Sequence, residues 1–156
     1  RILHLTGSHR QTIRERIRGF EAAVASVEGA EGRIVPMNFR GSSSHEAHDK
    51  TAEILAAGEG YTAAFCMNDF IAVGALDAAI EAGLRVPEDF AIVGFDDLPC
   101  ALMTNPRLAT MRVDRAALGR EAIGLMVARF RDRDAQARQI CHGVQPIAGG
   151  TVPPES

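Results

Sequence analysis

The chain has 156 residues, 46% of them hydrophobic and 24% charged, with a formal net charge of −3. That length supports one sizeable hydrophobic core, and the composition has the balance of a water-soluble globular domain. The slightly acidic charge argues against a surface built to hold nucleic-acid phosphates, and no stretch approaches the roughly 20 uninterrupted apolar residues of a membrane helix.

Cys66, Cys100 and Cys141 are odd in number and widely spaced. This speaks against a disulfide framework or a zinc site and fits a reducing cytoplasm. Arg1 leads straight into a strand-like run, so no secretion signal is read. Without an initiator Met, the sequence reads as a piece of a longer protein.

Short apolar runs alternate with helical periods along the chain. Residues 1–6 read as a strand, and residues 11–27 as a helix with Ile13, Ile17, Phe20, Val24 and Val27 on one stripe. Residues 33–39 form the second strand. Ser43 and Glu46 have capping-box spacing and open a helix that runs to about Ala57. Residues 61–67 are the third strand, after which Asn68 caps a helix that stops at Gly83. Residues 90–95 are the fourth strand, ending abruptly on Asp96 and Asp97.

The stretch 96–110 has no clear period and contains Pro99 and Pro106, so it reads as a long ordered connection. Asp114 caps a last amphipathic helix running to about Arg131, with Leu118, Ala122, Leu125, Met126 and Phe130 on one side. A polar turn follows over 131–138, and 139–152 supplies a short strand or two. This alternation predicts an α/β fold, a mainly parallel sheet with helices on both faces.

The helix after Asn68 is unusual. Between Phe70 and Ile80 only Asp77 is polar. A helix apolar nearly all round is covered on more than one side. The sheet covers one side and a neighbouring subunit is expected on the other. The alternative is that the 96–110 connection folds over it.

Open parallel sheets bind ligands beyond the carboxyl ends of their strands. Gly7, Ser8 and His9 follow the first strand there, with Arg14 and Arg16 in the first turns of the next helix. Phe39 ends the second strand, Asn68 and Asp69 follow the third, and Asp96 and Asp97 follow the fourth. An aromatic wall, an arginine fork, an amide and a carboxylate at one edge suit a hydroxyl-rich or heterocyclic ligand.

Other roles compete at several of these positions. Asn68 reads equally as a ligand contact and as a helix cap, while Asp69 reads better as structural. Two acids directly after a buried strand favour a site at Asp96 over a simple turn. Arg10, Arg14, Arg16 and Arg18 read as a solvated helix face, and Phe39 as cleft-facing. His45, His48 and Asp49 could place two metal ligands on one helical face, but at a helix start they read as solvent-facing. His4, inside a strand, reads as packed. No phosphate loop, dinucleotide fingerprint or nucleophile elbow occurs, so no catalytic residue, cofactor or metal is expected.

The order and spacing of several segments resemble the lactose/galactose repressor (LacI/GalR-type) family of bacterial transcriptional regulators. They include Arg16-Ile17-Arg18-Gly19-Phe20, Phe39 before a serine-rich helix start, and Phe65-Cys66-Met67-Asn68-Asp69. Val86-Pro87-Glu88-Asp89, Val93-Gly94-Phe95-Asp96-Asp97 and Asn105-Pro106-Arg107-Leu108-Ala109-Thr110 complete the pattern, which covers nearly the whole chain. The resemblance implies an effector-binding domain like the type I periplasmic sugar-binding proteins, in which two α/β lobes close on a ligand. Residues 1–98 would be the second lobe, and 99–156 the connection, crossover helix and closing strands.

The resemblance further implies that Arg16, Phe39, Asn68 and Asp96 contact a sugar or related small polar metabolite, Arg and Asp by hydrogen bonds and the aromatic by packing. It implies a cytoplasmic homodimer formed through the helix bearing Phe70 and Ile80 and the proline-containing loop after it. DNA would be bound only by a helix-turn-helix domain, which this sequence does not contain. In the family the last helix packs on the first lobe; here it is expected to dock on this sheet or to exchange with a partner chain. The chain departs from the family pattern at Arg107 and Ala109 and over 147–151, which bears on the closing strand rather than the pocket. Two further readings are a solute-binding component of a sugar transporter and a small α/β hydrolase or metal enzyme using Asp96, Asp97, His9 or His45.

Overall fold

Four short strands set the frame on which everything else is placed. The computed structural model describes residues 1–7, 11–37, 44–134 and 136–154. Strands β1 (Ile2–Thr6), β2 (Gly32–Pro36), β3 (Ala63–Cys66) and β4 (Ala91–Val93) form a parallel sheet in the order β2-β1-β3-β4. β1 is central, with Leu3 level with Arg33 on one side and Ala64 on the other.

Alternation along β1 divides its side chains between two helical layers. Leu3 and Leu5 enter a core shared with Ile92, with Ile54 of α2 (Ser44–Ala56), and with Ile71 and Leu76 of α3 (Asp69–Glu81). His4 stacks on Phe65 and also meets Phe20 of α1 (Gln11–Ala25), with ring centroids 4.8 and 5.1 Å away. Ile13 and Phe20 of α1 are buried there. Helices therefore cover both faces of the sheet. Burial of a leucine or isoleucine at such a position stabilises the fold by roughly 1.5–3 kcal/mol.

The outer edge of β4 is closed by two later segments, which removes an exposed strand edge. Gly94 N donates to Ala109 O at 2.9 Å, and Ile92 N donates to Thr151 O at 2.7 Å. The buried Thr151 hydroxyl donates to Ile92 O at 2.7 Å and accepts from Ala109 N at 2.9 Å. A side chain at Gly149 would overlap the backbone of Leu108 and Ala109, so glycine is what lets Thr151 reach the sheet. The atypical 147–151 stretch thus still closes the edge.

The elements differ from the sequence-based expectation in a few places. β3 and β4 are shorter than read, because Gly94 ends β4 and Asp96 and Asp97 take positive φ angles of 99° and 51°. The 96–110 connection contains a 3-10 turn, Pro99–Leu102, whose Ala101 is buried in the core. β5 (Thr110–Val113) was not legible as a strand; it pairs antiparallel with β6 (Val144–Ile147), the one strand within 139–152.

Two helices answer the question of cover differently. α3 is covered from within the chain: α2 packs so tightly on it that a side chain at Gly74 would overlap the Ser44 carbonyl, and the 3-10 turn lies against it as well. Phe70 and Ile80 remain 44% and 46% exposed. Of the two expectations for α4 (Arg115–Arg131), docking on this sheet is not what the structure has: none of its residues is buried. Its first turn is tied to the sheet rim instead, where Arg115 donates to the Asp96 and Asp97 carbonyls, the latter at 3.2 Å. Among the described residues no helix is long and apolar enough to cross a membrane.

Candidate functional site

Because β1, β3 and β4 are parallel and adjacent, the residues that follow them meet at one rim. Gly7 follows β1, and Met67 and Asn68 follow β3. Gly94 to Asp97 follow β4. Arg16 reaches this rim from α1, where its NH1 donates to Met67 O at 2.5 Å. Its guanidinium carbon lies 3.7 Å from the centroid of the Phe95 ring, a cation–π arrangement that fixes the plane of the fork. Burial lowers the Arg16 pKa, and the negative charge of Asp96 opposes that shift, so the two side chains share one electrostatic neighbourhood.

The two acids that follow β4 divide their work. Asp97 gives its carboxylate to Arg112, whose Nε donates to Oδ2 at 2.6 Å. Asp96 is held by its backbone, with N donating to Met111 O at 2.9 Å and the carbonyl accepting from Arg115. Its carboxylate has no hydrogen-bond partner among the described residues. Asp97 therefore builds the turn, and Asp96 keeps a carboxylate that no described residue engages.

Asn68 combines its two readings. Its side-chain oxygen caps α3 by accepting from Ile71 N at 3.0 Å, and its amide nitrogen has no partner among the described residues. Asp69 is fully buried. It accepts from Leu98 N at 2.6 Å and from the Thr110 hydroxyl at 2.5 Å. Burial pushes its carboxyl pKa up, and those two hydrogen bonds pull it back. A side chain at Gly94 would overlap Asp69 Oδ1, which explains the glycine in Val93-Gly94-Phe95-Asp96-Asp97.

Arg16, Asn68 and Asp96 are thus brought to the same rim. Phe39, with Ser8, His9 and Arg10, lies outside the described residues. Arg14 is exposed, and Arg18 pairs with Glu15 on the same helix face at 2.9 Å. Phe95 and Met67 were missed as parts of the site. Read as strand residues, they in fact follow strands that end earlier, and Gly94 was the available signal.

Elsewhere, His48 contacts Asp49 at 3.1 Å and Glu81 at 2.9 Å, joining α2 to the end of α3; these bonds raise its pKa. No group of three or more metal-ligating side chains occurs among the described residues. Cys66 is fully buried, and burial holds its thiol strongly protonated.

Comparison with known proteins gives one consistent family. The periplasmic binding protein-like domain matches residues 1–152. The HTH-type transcriptional repressor PurR of Aliivibrio fischeri strain ES114 is 34% identical over 131 residues, which are 81% of this chain and 38% of that protein. A LacI-family transcriptional regulatory protein from Corynebacterium glutamicum superposes with a TM-score of 0.79 at 30% identity, over 99% of this chain and 59% of that one. A LacI-family regulator from Enterococcus faecium, solved with bound ribose, shares the fold with a TM-score of 0.82 at 24% identity, over 99% of this chain and 57% of that one. The chain therefore spans less than two thirds of each of these relatives. It belongs to the periplasmic binding protein-like domain family, and its relatives there are transcriptional regulators of the lactose/galactose repressor type.

Proposed function

We propose that this chain is the ligand-sensing part of a cytoplasmic transcriptional repressor, binding a sugar or related small polar metabolite without catalysis. The observation that carries the reading is the Asp96 carboxylate, which no described residue engages by a hydrogen bond, beside the Arg16 fork at the carboxyl-end rim. An acceptor and a fixed donor array at one edge suit a ligand with vicinal hydroxyls. Asn68 would add an amide donor, and Phe39 an aromatic wall. Residues 1–98 would act as one lobe, with 99–156 connecting it to a second. Ligand held between lobes would favour one lobe arrangement over another, and so alter how the parent protein binds DNA through its helix-turn-helix domain. Phe70 and Ile80, with Leu102 and Met103 of the connection exposed as well, support a homodimer contact along α3.

A calorimetric titration of the parent regulator with ribose, lactose, cellobiose and galactose tests the reading. At least one is expected to bind the wild type. Asp96→Asn should weaken that binding about 10- to 100-fold, the range of a lost charged hydrogen bond. Binding unchanged in Asp96→Asn, or no binding by any of the four, would sink the site as drawn.

A further inference from the structure

We propose that Asp69 is a positioning residue for the rim, holding the Phe95 to Leu98 turn so that the Asp96 side chain is presented and tying that turn to crossover strand β5. This deepens the proposed function and rests on that reading of the rim. Three elements converge on this one side chain. Its Oδ2 accepts from Leu98 N at 2.6 Å, just beyond the two acids. Its Oδ1 accepts from the Thr110 hydroxyl at 2.5 Å, at the start of β5. Its own backbone N donates to Phe95 O at 2.9 Å, just before the acids. The turn bearing Asp96 is therefore gripped at both ends from the first residue of α3.

The grip answers a specific need. Asp96 and Asp97 both hold positive φ angles, a region L-residues enter rarely and only when the surroundings over-determine it. The Thr110 hydroxyl also accepts from Asp97 N at 3.4 Å, so Asp69, Thr110 and Asp97 form one chain of contacts. Gly94 completes the arrangement, since any side chain there would displace Oδ1. Movement of β5 would thereby be felt at Asp96, and occupation of Asp96 would be felt at β5.

Amide hydrogen exchange on this chain reads the grip without any ligand. In Asp69→Ala the amides of Asp96, Asp97 and Leu98 should exchange at least about tenfold faster, the effect of losing a charged hydrogen bond. Amides of Leu3, Leu5 and Ala64 in the sheet should keep their protection relative to wild type. Asp69→Asn, which keeps an acceptor for Leu98 N, should restore most of the lost protection. Thr110→Val removes one arm of the grip and should give a smaller, equally local effect, which decides the matter if Asp69→Ala does not fold. Exchange unchanged at 96–98, exchange raised uniformly across the sheet, or no restoration by Asp69→Asn would each overturn the proposal. A calorimetric titration of the parent protein with the four probes above separates the two claims. If wild type binds none of them, the reading of the rim fails, while the exchange result still decides whether Asp69 positions the turn. If wild type binds one of them, Thr110→Val should weaken that binding severalfold; unchanged affinity would break the link between the grip and the site.

Discussion

Helices α3 and α4 start alike and end up in different environments. Each is opened by an acid-amide type cap that accepts from the amide three residues on, Asn68 from Ile71 at 3.0 Å and Asp114 from Ala117 at 2.8 Å. Each carries abundant apolar side chains. Yet α3 buries eight residues against β3, β4, α2 and the 3-10 turn, and α4 buries none, leaving Ile123, Met126, Val127 and Phe130 exposed. Capping and propensity can begin a helix, but a packed face is what makes it cooperative with the rest of the fold. The parallel sheet with α1 to α3 is therefore one stability unit, and α4 is an arm fastened to it at Arg115.

Core truncation gives the largest effect and the sharpest form of this contrast. Ile92→Ala, at a fully buried position in the core that the sheet shares with α2 and α3, should cost about 2–5 kcal/mol in chemical denaturation followed by circular dichroism. Phe130→Ala, at a side chain 74% exposed, should stay within about 0.5 kcal/mol of wild type. A cost for Phe130→Ala near that of Ile92→Ala would break the comparison, because α4 would then be packed in solution.

Removing the two caps probes the same difference more finely. Asn68→Ala should lower global stability by about 1 kcal/mol, since α3 unfolds only with the sheet. Asp114→Ala removes a chemically similar bond, but should lower the helical signal of the native chain while moving the unfolding midpoint far less. Equal shifts of the midpoint would show that α4 belongs to the same cooperative unit.

Much of this division could be read from residue order. The strand-helix alternation, the Asn68 cap and the placing of Asn68 and Asp96 at one rim follow from periodicity and from the rule that parallel strands end on one side, whereas only the family resemblance singled out Arg16 from its neighbouring arginines. β5 was hidden because Thr110, Met111, Arg112 and Val113 show no burial period; their pairing is with β6, more than thirty residues away. The separate fates of Asp96 and Asp97 were also not legible, because they depend on Arg112 approaching one carboxylate from across the connection. The same holds for α4, whose apolar stripe states that something should cover it without stating what.

The smallest expected effect lies in the sheet unit and depends on pH. His4 is buried between Phe20 and Phe65, with Nδ1 3.0 Å from Phe65 O. Burial lowers its pKa from the ordinary 6.5, Phe65 O opposes the shift, and the positive charge of Arg16 adds to it. Between the lowered folded value and 6.5 the unfolded chain binds more protons than the folded one. Stability from this group is therefore complete above 6.5 and is lost as pH falls through the window below it. His48 has the opposite sign: Asp49 and Glu81 raise its pKa, so its contribution is complete below 6.5 and fades as pH rises through the folded value. His4→Phe keeps a ring between Phe20 and Phe65 and removes the titration. Its melting temperature should gain on wild type as pH falls from about 8 to about 5, the range in which histidine changes charge. His48→Gln should lag wild type most at the acid end and approach it towards pH 8. A gap between His4→Phe and wild type that stays constant across that range would mean that His4 is not held neutral by burial in the sheet, and that this face of β1 is more open than the α3 face.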